Sequence, residues 1–397
     1  MCPKKVLLLL AALVCLGCSV PGGRPGIDIK KLEAIDTVAT EAIARGDAPG
    51  MVVCVVKDSS IVYLKAFGKK SVYPETTPMT VETVFDMASV SKCMSTTIAV
   101  MQLVEQGKLR LADPVKHYIP DFKPWTEPKT GKTVDITVRD VMTHASGLPV
   151  QNVKGYLSKY EENTPDSLVK HIALEVARET QPGTHFRYSC LNFVVAQAVV
   201  EKITGEKLCD YAADHIFQPL GMNHTRYLPL EREIDPSYRK LIAPTTVQPD
   251  GEVLLGQVHD PMARLINNGN SGNAGVFSNA EDLAKMAIAL MHGGGGIIGP
   301  ATIAAMCRIP PENDPSVGRA IGWDKLSTHS LNAGDIFDKN TCIMHTGYTG
   351  TSFLIDMKSK TAVIILANRV HPQDSDRSSM TRPRAQIANI VAGALTE

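Results

Sequence analysis

A serine and a lysine three residues apart, Ser89 and Lys92, are the residues of this sequence best suited to covalent catalysis. They open a run of helical character that ends at Gly107, and residues three apart on a helix are neighbours. A serine hydroxyl becomes a strong nucleophile when a base removes its proton, and a lysine is such a base when burial or a nearby cation keeps it neutral. The helix N-terminus adds N–H groups where an oxyanion would form. The spacing therefore predicts nucleophilic catalysis by Ser89 with Lys92 as its base.

The Ser-x-x-Lys spacing occurs twice more, and the flanking residues separate the three copies. An apolar segment precedes Ser89, and further apolar residues follow Lys92. Ser167 follows Asn-Thr-Pro-Asp, which is typical of a helix start with a capping residue. Ser237 has polar neighbours that would keep Lys240 charged. We expect these two further copies to be surface helix residues.

Length, charge and composition bound the class of protein. The chain has 397 residues, enough for two to three domain-sized units. Lysine plus arginine equals aspartate plus glutamate, 41 of each, so nothing indicates a nucleic-acid partner or an electrostatic membrane surface. A hydrophobic content of 44% and a charged content of 21% are typical of a globular protein.

The N-terminus has the pattern of an export signal. Two lysines precede an apolar run, 6–16, that is too short to span a bilayer and has the length of a signal-peptide core. The run ends in a segment that resembles a bacterial lipobox, although Cys15 stands where that pattern has an aliphatic residue. We expect residues 1–18 to be a signal peptide, Cys18 to carry a lipid, and 19–26 to be a linker. The protein would then be exported to the periplasm or outer cell envelope; secretion without a lipid is the alternative.

The cysteines do not indicate a metal site. Six of the nine remain beyond Cys18 and the signal peptide, and they lack the close spacing of zinc ligands. They are Cys54, Cys93, Cys190, Cys209, Cys307 and Cys342. We expect buried free thiols, some of which export could oxidise.

Strand-like segments at both ends of the chain enclose a mostly helical middle. The pattern predicts helices at 27–44 and 384–395, a hairpin of strands 51–57 and 61–67, and strands 342–345, 351–356 and 362–368. It predicts helices in the middle at 138–142, 167–179, 191–203, 207–217 and 281–291. This favours an α/β (α+β) domain built from 27–112 and 335–397, with a helical domain inserted at 113–334.

Two further stretches supply partners for a serine and a lysine. Tyr188 lies on a polar loop before a helix, where it could exchange protons with a lysine; an interface tyrosine is the alternative. His345-Thr346-Gly347-Tyr348 lies between two apolar strands, where its small residues would let a substrate backbone approach. A plain glycine-rich hairpin is the alternative there.

Together these motifs resemble the serine β-lactamase and penicillin-binding-protein superfamily, in its class C and serine-esterase branch. Ser89-Val90-Ser91-Lys92, Tyr188-Ser189-Cys190 and His345-Thr346-Gly347 match its three motifs in order, and the similarity extends over about 35–394. Further runs are similar to this branch: Met142-Thr143-His144-Ala145-Ser146-Gly147-Leu148-Pro149, Val258-His259-Asp260, Gly272-Asn273-Ala274-Gly275-Val276-Phe277-Ser278 and Asn368-Arg369-Val370-His371-Pro372. A literal Lys129-Thr130-Gly131 comes too early in the chain and is predicted to be an exposed turn.

The resemblance implies an antiparallel sheet flanked by helices beside the inserted helical domain, with the site at their junction. It implies an acyl-enzyme on Ser89, proton transfer shared by Lys92 and Tyr188, and an oxyanion hole made by the N–H groups of Ser89 and Tyr348. It also implies that residues 345–347 bind substrate and that no metal or cofactor takes part. The partner would be a small-molecule ester, amide or peptide, with membrane contact only through a lipid on Cys18.

Two departures from the family pattern bear on the substrate. Cys190 stands where the tyrosine motif usually has an asparagine, and a thiol is a poor substitute for an amide that donates and accepts. Asn192, two residues further on, is the nearest candidate to replace it. His345 stands where the third motif usually has a lysine, so a titratable group replaces a fixed positive charge. Both changes favour esters over β-lactams.

The sequence supports one leading function and leaves two others open. The leading interpretation is an exported serine hydrolase acting on esters or D-amino-acid-containing amides. The alternatives are a β-lactamase or cell-wall D,D-carboxypeptidase, and a catalytically silent binding protein on the same scaffold. An α/β-hydrolase is disfavoured, because the chain contains no Gly-x-Ser-x-Gly.

Overall fold

A computed structural model describes residues 26–151, 156–157, 164–327, 332–374, 376 and 379–396 of the protein. The strands are β1 (Gly50–Lys57), β2 (Ser60–Ser71), β3 (Thr77–Pro78), β4 (Phe85–Asp86), β5 (Trp125–Thr126), β6 (Thr133–Val134), β7 (Arg226–Tyr227), β8 (Val276–Ser278), β9 (Cys342–Thr346), β10 (Ser352–Asp356) and β11 (Thr361–Ala367). The helices are α1 (Ala34–Ala44), α2 (Thr97–Glu105), α3 (Val138–Met142), α4 (Pro165–Leu174), α5 (Leu191–Thr204), α6 (Leu208–Ala212), α7 (Pro236–Leu241), α8 (Pro261–Leu265), α9 (Ala280–Met291), α10 (Pro300–Cys307) and α11 (Thr381–Ala394).

The centre of the fold is a six-stranded antiparallel sheet with the order β3-β2-β1-β11-β10-β9. Both ends of the chain build it, since β1–β3 and β9–β11 are separated by more than two hundred residues of sequence. Antiparallel neighbours β1 and β2 form the predicted hairpin, with Lys57 opposite Ser60 at its turn. The predicted fold class, an antiparallel sheet flanked by helices, is confirmed.

Helices cover both faces of this sheet, which explains why its central strands are apolar along their whole length. Successive side chains of a strand point to opposite faces. Val53 of β1 lies in the core shared with α1 and α11, whereas its neighbour Cys54 lies in the core shared with α9. Every residue of β11 is buried. Burial on both faces therefore selects continuous β-branched and aliphatic runs.

Most helices come between the two sets of strands in the sequence, and several of them pack around α5. Helices α2, α3 and α4 each pack against α5. The predicted helix 207–217 divides into α6 and a π-helical turn, Ala213–Phe217, and α4 ends at Leu174, before the predicted 179. Helix α9 lies in the interval 113–334 yet packs on β1, β10 and β11. The boundaries of the inserted domain remain a prediction.

A second, smaller sheet has the strand order β4-β8-β7. Phe85 of β4 pairs with Ser278 of β8, and the chain continues from β4 directly to Ser89. Across the described ranges, no helix combines the length and the apolarity needed to cross a bilayer. The predicted signal peptide, its Cys18 and residues 19–25 of the predicted linker lie outside the described residues.

Candidate active site

Ser89 stands at a tight turn between β4 and a helix. Its predecessor Ala88 has a φ of 46°, in the left-handed region that alanine rarely adopts. The Ala88 N–H donates to Asp86 Oδ1 at 2.8 Å, which holds this turn. Helical geometry begins at Val90, so Ser89 sits at the start of the helix as predicted, with its side chain half-exposed.

Lys92 opens a π-helical turn, Lys92–Thr96, that runs into α2. Its side chain is fully buried, and its Nζ donates to three acceptors: Ser89 Oγ at 2.9 Å, Asn273 O at 2.7 Å and Cys190 Sγ at 3.4 Å. An ammonium group has three N–H donors, and these acceptors surround it together with the Tyr188 phenol. The predicted pairing of serine and lysine is therefore present in the geometry.

Tyr188 completes the group, because its phenol is hydrogen-bonded to both Lys92 and Ser89. The ring of Tyr188 lies against the ring of His144, with centroids 4.4 Å apart and planes at 31°. His144 is buried, and its Nδ1 accepts the Ser189 N–H at 3.2 Å. His144 thus supports the tyrosine loop, a role that the Met142–Pro149 run did not reveal from sequence alone.

The surroundings of Lys92 and Tyr188 set their resting protonation states. Burial lowers the pKa of Lys92, but the negative charges that Cys190 and Tyr188 carry when deprotonated outweigh it, and the net result is a raised pKa. Burial raises the pKa of Tyr188 more than the nearby Lys92 cation lowers it. Lys92 is therefore an ammonium and Tyr188 a neutral phenol in the resting site. The condition that burial makes Lys92 neutral is not met there.

The two residues proposed to replace the family's asparagine lie in different places. Cys190 Sγ contacts Lys92 and lines a cavity beside Ser89. Asn192 is fully buried, accepts from Ser146 Oγ at 2.5 Å and hydrogen-bonds His144 Nδ1 at 3.3 Å. The assignment of Asn192 to substrate binding is therefore wrong. A shift of two residues at the start of α5 turns its side chain toward the tyrosine loop and away from the cavities.

The third motif forms the end of β9, against the Ser89 turn. His345 pairs with Phe353 of β10, and His345, Thr346 and Gly347 line a cavity that Ser89 also borders. A Cβ on Gly347 would collide with Thr351 Oγ1 and would lie 2.6 Å from the Met87 carbonyl oxygen. Glycine is needed here so that the strand can lie against the backbone that delivers the nucleophile.

Tyr348 borders both cavities beside Ser89, and its role in the oxyanion hole stays a prediction. Its phenol donates to Asp374 Oδ2 at 2.6 Å, and its ring stacks on His259 at 5.6 Å between centroids. The Arg369 guanidinium lies 4.5 Å from the centroid of the same ring and pairs with Asp374 at 3.0 Å. These contacts fix the loop that carries the Tyr348 N–H.

The smaller cavity, about 220 Å³, carries an excess of positive charge. Three arginines line it, of which Arg319 pairs with the buried Asp324 at 3.3 Å and Arg369 pairs with Asp374. Arg384 of α11 donates instead to two backbone carbonyls, those of Gly347 and Thr351, at 3.2 and 3.0 Å. It has no carboxylate partner in the part of the chain that the structure describes. Burial, followed by the nearby Arg369, lowers the pKa of Arg384 to about 9, so it is charged at neutral pH.

These arginines were not predicted. Arg369 lies in one of the runs that carried the resemblance, and Arg384 was noted only as the start of the last helix. No signal in the sequence around Arg319 indicated a site. The positive charge of the cavity comes from arginines in three separate segments of the chain. The expectation of weak carboxylate recognition was drawn from His345 alone and did not include them.

The larger cavity, about 770 Å³, lies on the other side of Ser89. Its lining is mixed and includes Tyr188, Cys190, Leu254, His259 and Tyr348. It therefore offers more room than the cationic cavity for one side of a substrate bound at Ser89.

The two further Ser-x-x-Lys copies and the Lys-Thr-Gly run do not line either cavity beside Ser89. Ser167 belongs to the capping box of α4, with Thr164 as its partner. Ser237 is exposed at the start of α7 and bonds Asp235. Lys129-Thr130-Gly131 forms an exposed turn between β5 and β6. Among the described residues, no group of histidine, cysteine, aspartate or glutamate side chains is arranged to hold a metal ion.

The chain is similar to known proteins over most of its length. The family model described as Beta-lactamase matches residues 35–386. A "Putative D-alanyl-D-alanine carboxypeptidase" from Salmonella agona is 31% identical over 400 residues, covering 93% of this chain and 88% of the relative. Its counterpart from Salmonella enteritidis matches over the same shares at 31% identity.

Solved structures share the fold at lower identity. "EstCE1, a hydrolase with promiscuous acyltransferase activity" has a TM-score of 0.72 at 24% identity and covers 92% of this chain and 99% of its own. The octameric penicillin-binding protein homologue from Pyrococcus abyssi has a TM-score of 0.67 at 22% identity, covering 92% of this chain and 78% of its own. The chain belongs to the Beta-lactamase family, whose members are serine hydrolases.

Proposed function

We propose that the protein hydrolyses D-amino-acid-containing amides or esters with a free carboxylate next to the scissile bond. Ser89 Oγ attacks the carbonyl carbon, the bond to the leaving amine or alcohol breaks, and water later releases the acyl group from Ser89. The proton of the serine passes through Lys92 and Tyr188 to the leaving group. The Ser89 and Tyr348 N–H groups stabilise the oxyanion.

The proton route is supported by the contacts of Tyr188. Its phenol is hydrogen-bonded to both Ser89 and Lys92, so one group touches the donor and the base. The resting pair holds one proton too many for catalysis, since Lys92 is an ammonium and Tyr188 a phenol. Loss of one proton from the pair creates the base that activates Ser89.

The observation that carries the choice of substrate is Arg384. It adds a positive charge, without a carboxylate partner in the described protein, to a small cavity that opens at Ser89. A guanidinium group is the protein group best suited to bind a carboxylate. The Salmonella relatives, 31% identical, are named as putative D-alanyl-D-alanine carboxypeptidases, and a terminal D-alanine would bring such a carboxylate.

Two matched peptides test this proposal: one ending in D-alanyl-D-alanine and the same peptide with a C-terminal carboxamide. We expect the free carboxylate to raise kcat/KM at least tenfold, which is about 1.4 kcal/mol of transition-state stabilisation. Equal rates for the two peptides would contradict the role of the cationic cavity.

Hydrolysis of simple esters is the second candidate, supported by Cys190. The thiol takes the place of an amide beside Lys92 and lines the larger cavity, where it is a poor partner for a substrate amide. β-Lactam hydrolysis ranks below both. A screen of p-nitrophenyl esters, nitrocefin and D-alanyl peptides separates the three activities, and we expect ester turnover to exceed nitrocefin turnover at least tenfold in kcat/KM, or about 1.4 kcal/mol.

We also propose that the protein is exported and anchored by a lipid on Cys18, from the charge and apolar pattern of residues 1–18. Mass spectrometry of the mature N-terminus tests this directly. A chain that begins at a modified Cys18 is the expected result. Any other first residue would remove the lipid anchor from the proposal.

A further inference from the structure

Asp86 is a buried carboxylate at the end of β4 that the proposed mechanism does not use. Its Oδ1 accepts the Ala88 N–H at 2.8 Å and its Oδ2 accepts the His259 N–H at 2.7 Å. Its own backbone carbonyl accepts Thr349 Oγ1 at 2.8 Å. Only 2% of the residue is exposed. One residue therefore joins three segments of the chain that are distant in sequence.

The first of these segments is the turn that presents the nucleophile. Ala88 adopts a φ of 46°, and a non-glycine residue stays in this region only where its surroundings hold it there. The Asp86 side chain bonds the N–H of Ala88, directly before Ser89. Without that acceptor the turn could relax to an ordinary φ, and the Ser89 hydroxyl would move relative to Lys92.

The other two segments hold Tyr348. The His259 ring stacks on the Tyr348 ring with planes at 18°, and Thr349 directly follows Tyr348. The Asp86 carboxylate thus bonds the backbone of His259, and the Asp86 carbonyl bonds the side chain of Thr349. The relative position of the Ser89 and Tyr348 N–H groups depends on this junction.

We propose that Asp86 is a positioning residue whose carboxylate locks the nucleophile turn to the His259 segment, on which the Tyr348 ring stacks. The lock works through both carboxylate oxygens, because each accepts one backbone N–H. Protonation converts one of these acceptor oxygens into a donor that faces an N–H. At acid pH the carboxylate therefore loses one of its two bonds to Ala88 and His259. This inference rests on the proposed role of Ser89 and adds a third group to that of Lys92 and Tyr188.

The surroundings of Asp86 place the protonation of its carboxylate in an accessible pH range. Burial raises the pKa of Asp86 to about 6, while the two N–H donors oppose the rise. Asp260 raises the pKa further, and Arg264 of α8 lowers it. The His259 imidazole lies on the same loop, and burial lowers its own pKa. The carboxylate is therefore formed at neutral pH and lost below about 6.

The rate at which a fluorophosphonate probe labels Ser89 tests the proposal, since it reports the reactivity of the nucleophile without a chosen substrate. For the wild-type protein we expect labelling to slow with falling pH as the Lys92–Tyr188 pair regains its proton. We also expect an additional acid limb with a midpoint near pH 6, below which the rate falls more steeply. Asp86→Asn should label at least tenfold more slowly at pH 7.5 and should lack this limb, because an amide does not titrate there. Its melting temperature should stay close to that of the wild type, which separates positioning from a general loss of stability.

Asp356→Asn is the matched control, because Asp356 is also buried and also accepts two backbone N–H groups. Asp356 ends β10, whereas Ser352, at the other end of this strand, directly follows the segment that carries Tyr348. Asp356→Asn should keep the wild-type rate and limb. Wild-type labelling of Ser89 together with an unchanged rate and limb in Asp86→Asn overturns the inference but leaves the proposed function intact. If Ser89 of the wild type is not labelled, the proposed function fails first. If Asp86→Asn does not fold, the wild-type profile decides: a limb near pH 6 supports the proposal, and a profile without one overturns it.

Discussion

The side-chain nitrogen of Lys92 lies 2.9 Å from the hydroxyl oxygen of Ser89 and is held there by two further acceptors, Asn273 O and Cys190 Sγ. This is the geometry of an ammonium that donates, and it matches the raised pKa of Lys92. The resting site is therefore one deprotonation away from its reactive form.

The first prediction concerns the dependence of the rate on pH. Since the pKa values of Lys92 and Tyr188 are both raised, the form with one proton fewer is rare at neutral pH and grows as pH rises. We expect kcat/KM for a neutral ester to rise about tenfold per pH unit between pH 7 and 9, as for a single required deprotonation. Initial rates across this range measure it, and a flat or falling profile would show that another group is the base.

Removing the phenol of Tyr188 should affect turnover more than binding. Tyr188→Phe keeps the ring that lies on His144 and removes the hydroxyl that contacts Lys92 and Ser89. We expect kcat to fall by about 10²-fold or more, with KM changed by less than about threefold. Tyr63→Phe is the control, since Tyr63 is also buried and its phenol donates to Asp36 of α1 at 2.6 Å, in the core on the α1 side of the sheet. Similar losses in both variants would contradict a proton-transfer role.

Arg384 should matter only for substrates that carry a carboxylate. Arg384→Gln removes the charge, and we expect it to lower kcat/KM for the D-alanyl-D-alanine peptide at least tenfold, about 1.4 kcal/mol. Hydrolysis of a neutral p-nitrophenyl ester should change less than about threefold. Arg178→Gln is the matched control, because Arg178 also donates to backbone carbonyls, those of Ile172 and Ala173, outside the site. Equal losses on both substrates would mean that Arg384 serves only to hold Gly347.

Cys190→Asn restores the amide that the family pattern has beside the lysine. Its oxygen can accept from Lys92 in place of the sulfur, and its NH₂ group can face the larger cavity. We expect the ratio of amide and nitrocefin hydrolysis to ester hydrolysis to rise several-fold. An unchanged ratio would mean that residue 190 does not touch the acyl group.

His371 gives a prediction about stability. Its Nε2 accepts the Val72 N–H at 3.0 Å, and its Nδ1 lies 2.8 Å from the Thr245 carbonyl, so the imidazole is neutral. Burial lowers the pKa of His371 in the folded protein below that of a histidine in the unfolded chain. The contribution of the neutral imidazole to the free energy of unfolding is therefore complete above about pH 6.5. It is lost as pH falls through the pKa that His371 has in the folded protein.

We therefore expect thermal unfolding of the wild type to lose more stability between pH 7 and pH 5 than that of His371→Asn, which has no such group to protonate. His292→Asn, at an exposed position, should behave as the wild type. If the stability of all three proteins falls in parallel between pH 7 and pH 5, protonation of His371 does not contribute to the loss of stability in acid.

Local patterns were sufficient to predict the parts of the site that lie close together in sequence. Ser89 and Lys92 share one helical turn, and helix α3 lies at the predicted 138–142, where a capping box of Thr137 and Asp140 fixes its start. The position of Asn192 could not be predicted in this way, because the direction of a side chain at the first turn of α5 depends on how that helix packs against His144.

The residues that were missed act over long sequence distances. The bond from Thr349 to Asp86 spans 263 positions, and Arg384 reaches Gly347 across 37. Such contacts are created by the sheet, which brings the C-terminal strands and α11 beside the N-terminal turn. No spacing rule within one element could have indicated them.

The most direct test of the account is to identify the serine that a fluorophosphonate probe labels, by peptide mass spectrometry of the wild-type protein and four variants. We predict labelling at Ser89 alone, complete loss of labelling in Ser89→Ala, and wild-type labelling in Ser167→Ala and Ser237→Ala. Lys92→Ala should label on the order of 10²-fold more slowly, since it lacks the base. Labelling that persists in Ser89→Ala would contradict the assignment of the nucleophile, and a wild-type protein that is neither labelled nor active on any ester, lactam or D-alanyl peptide would be a binding protein on this scaffold.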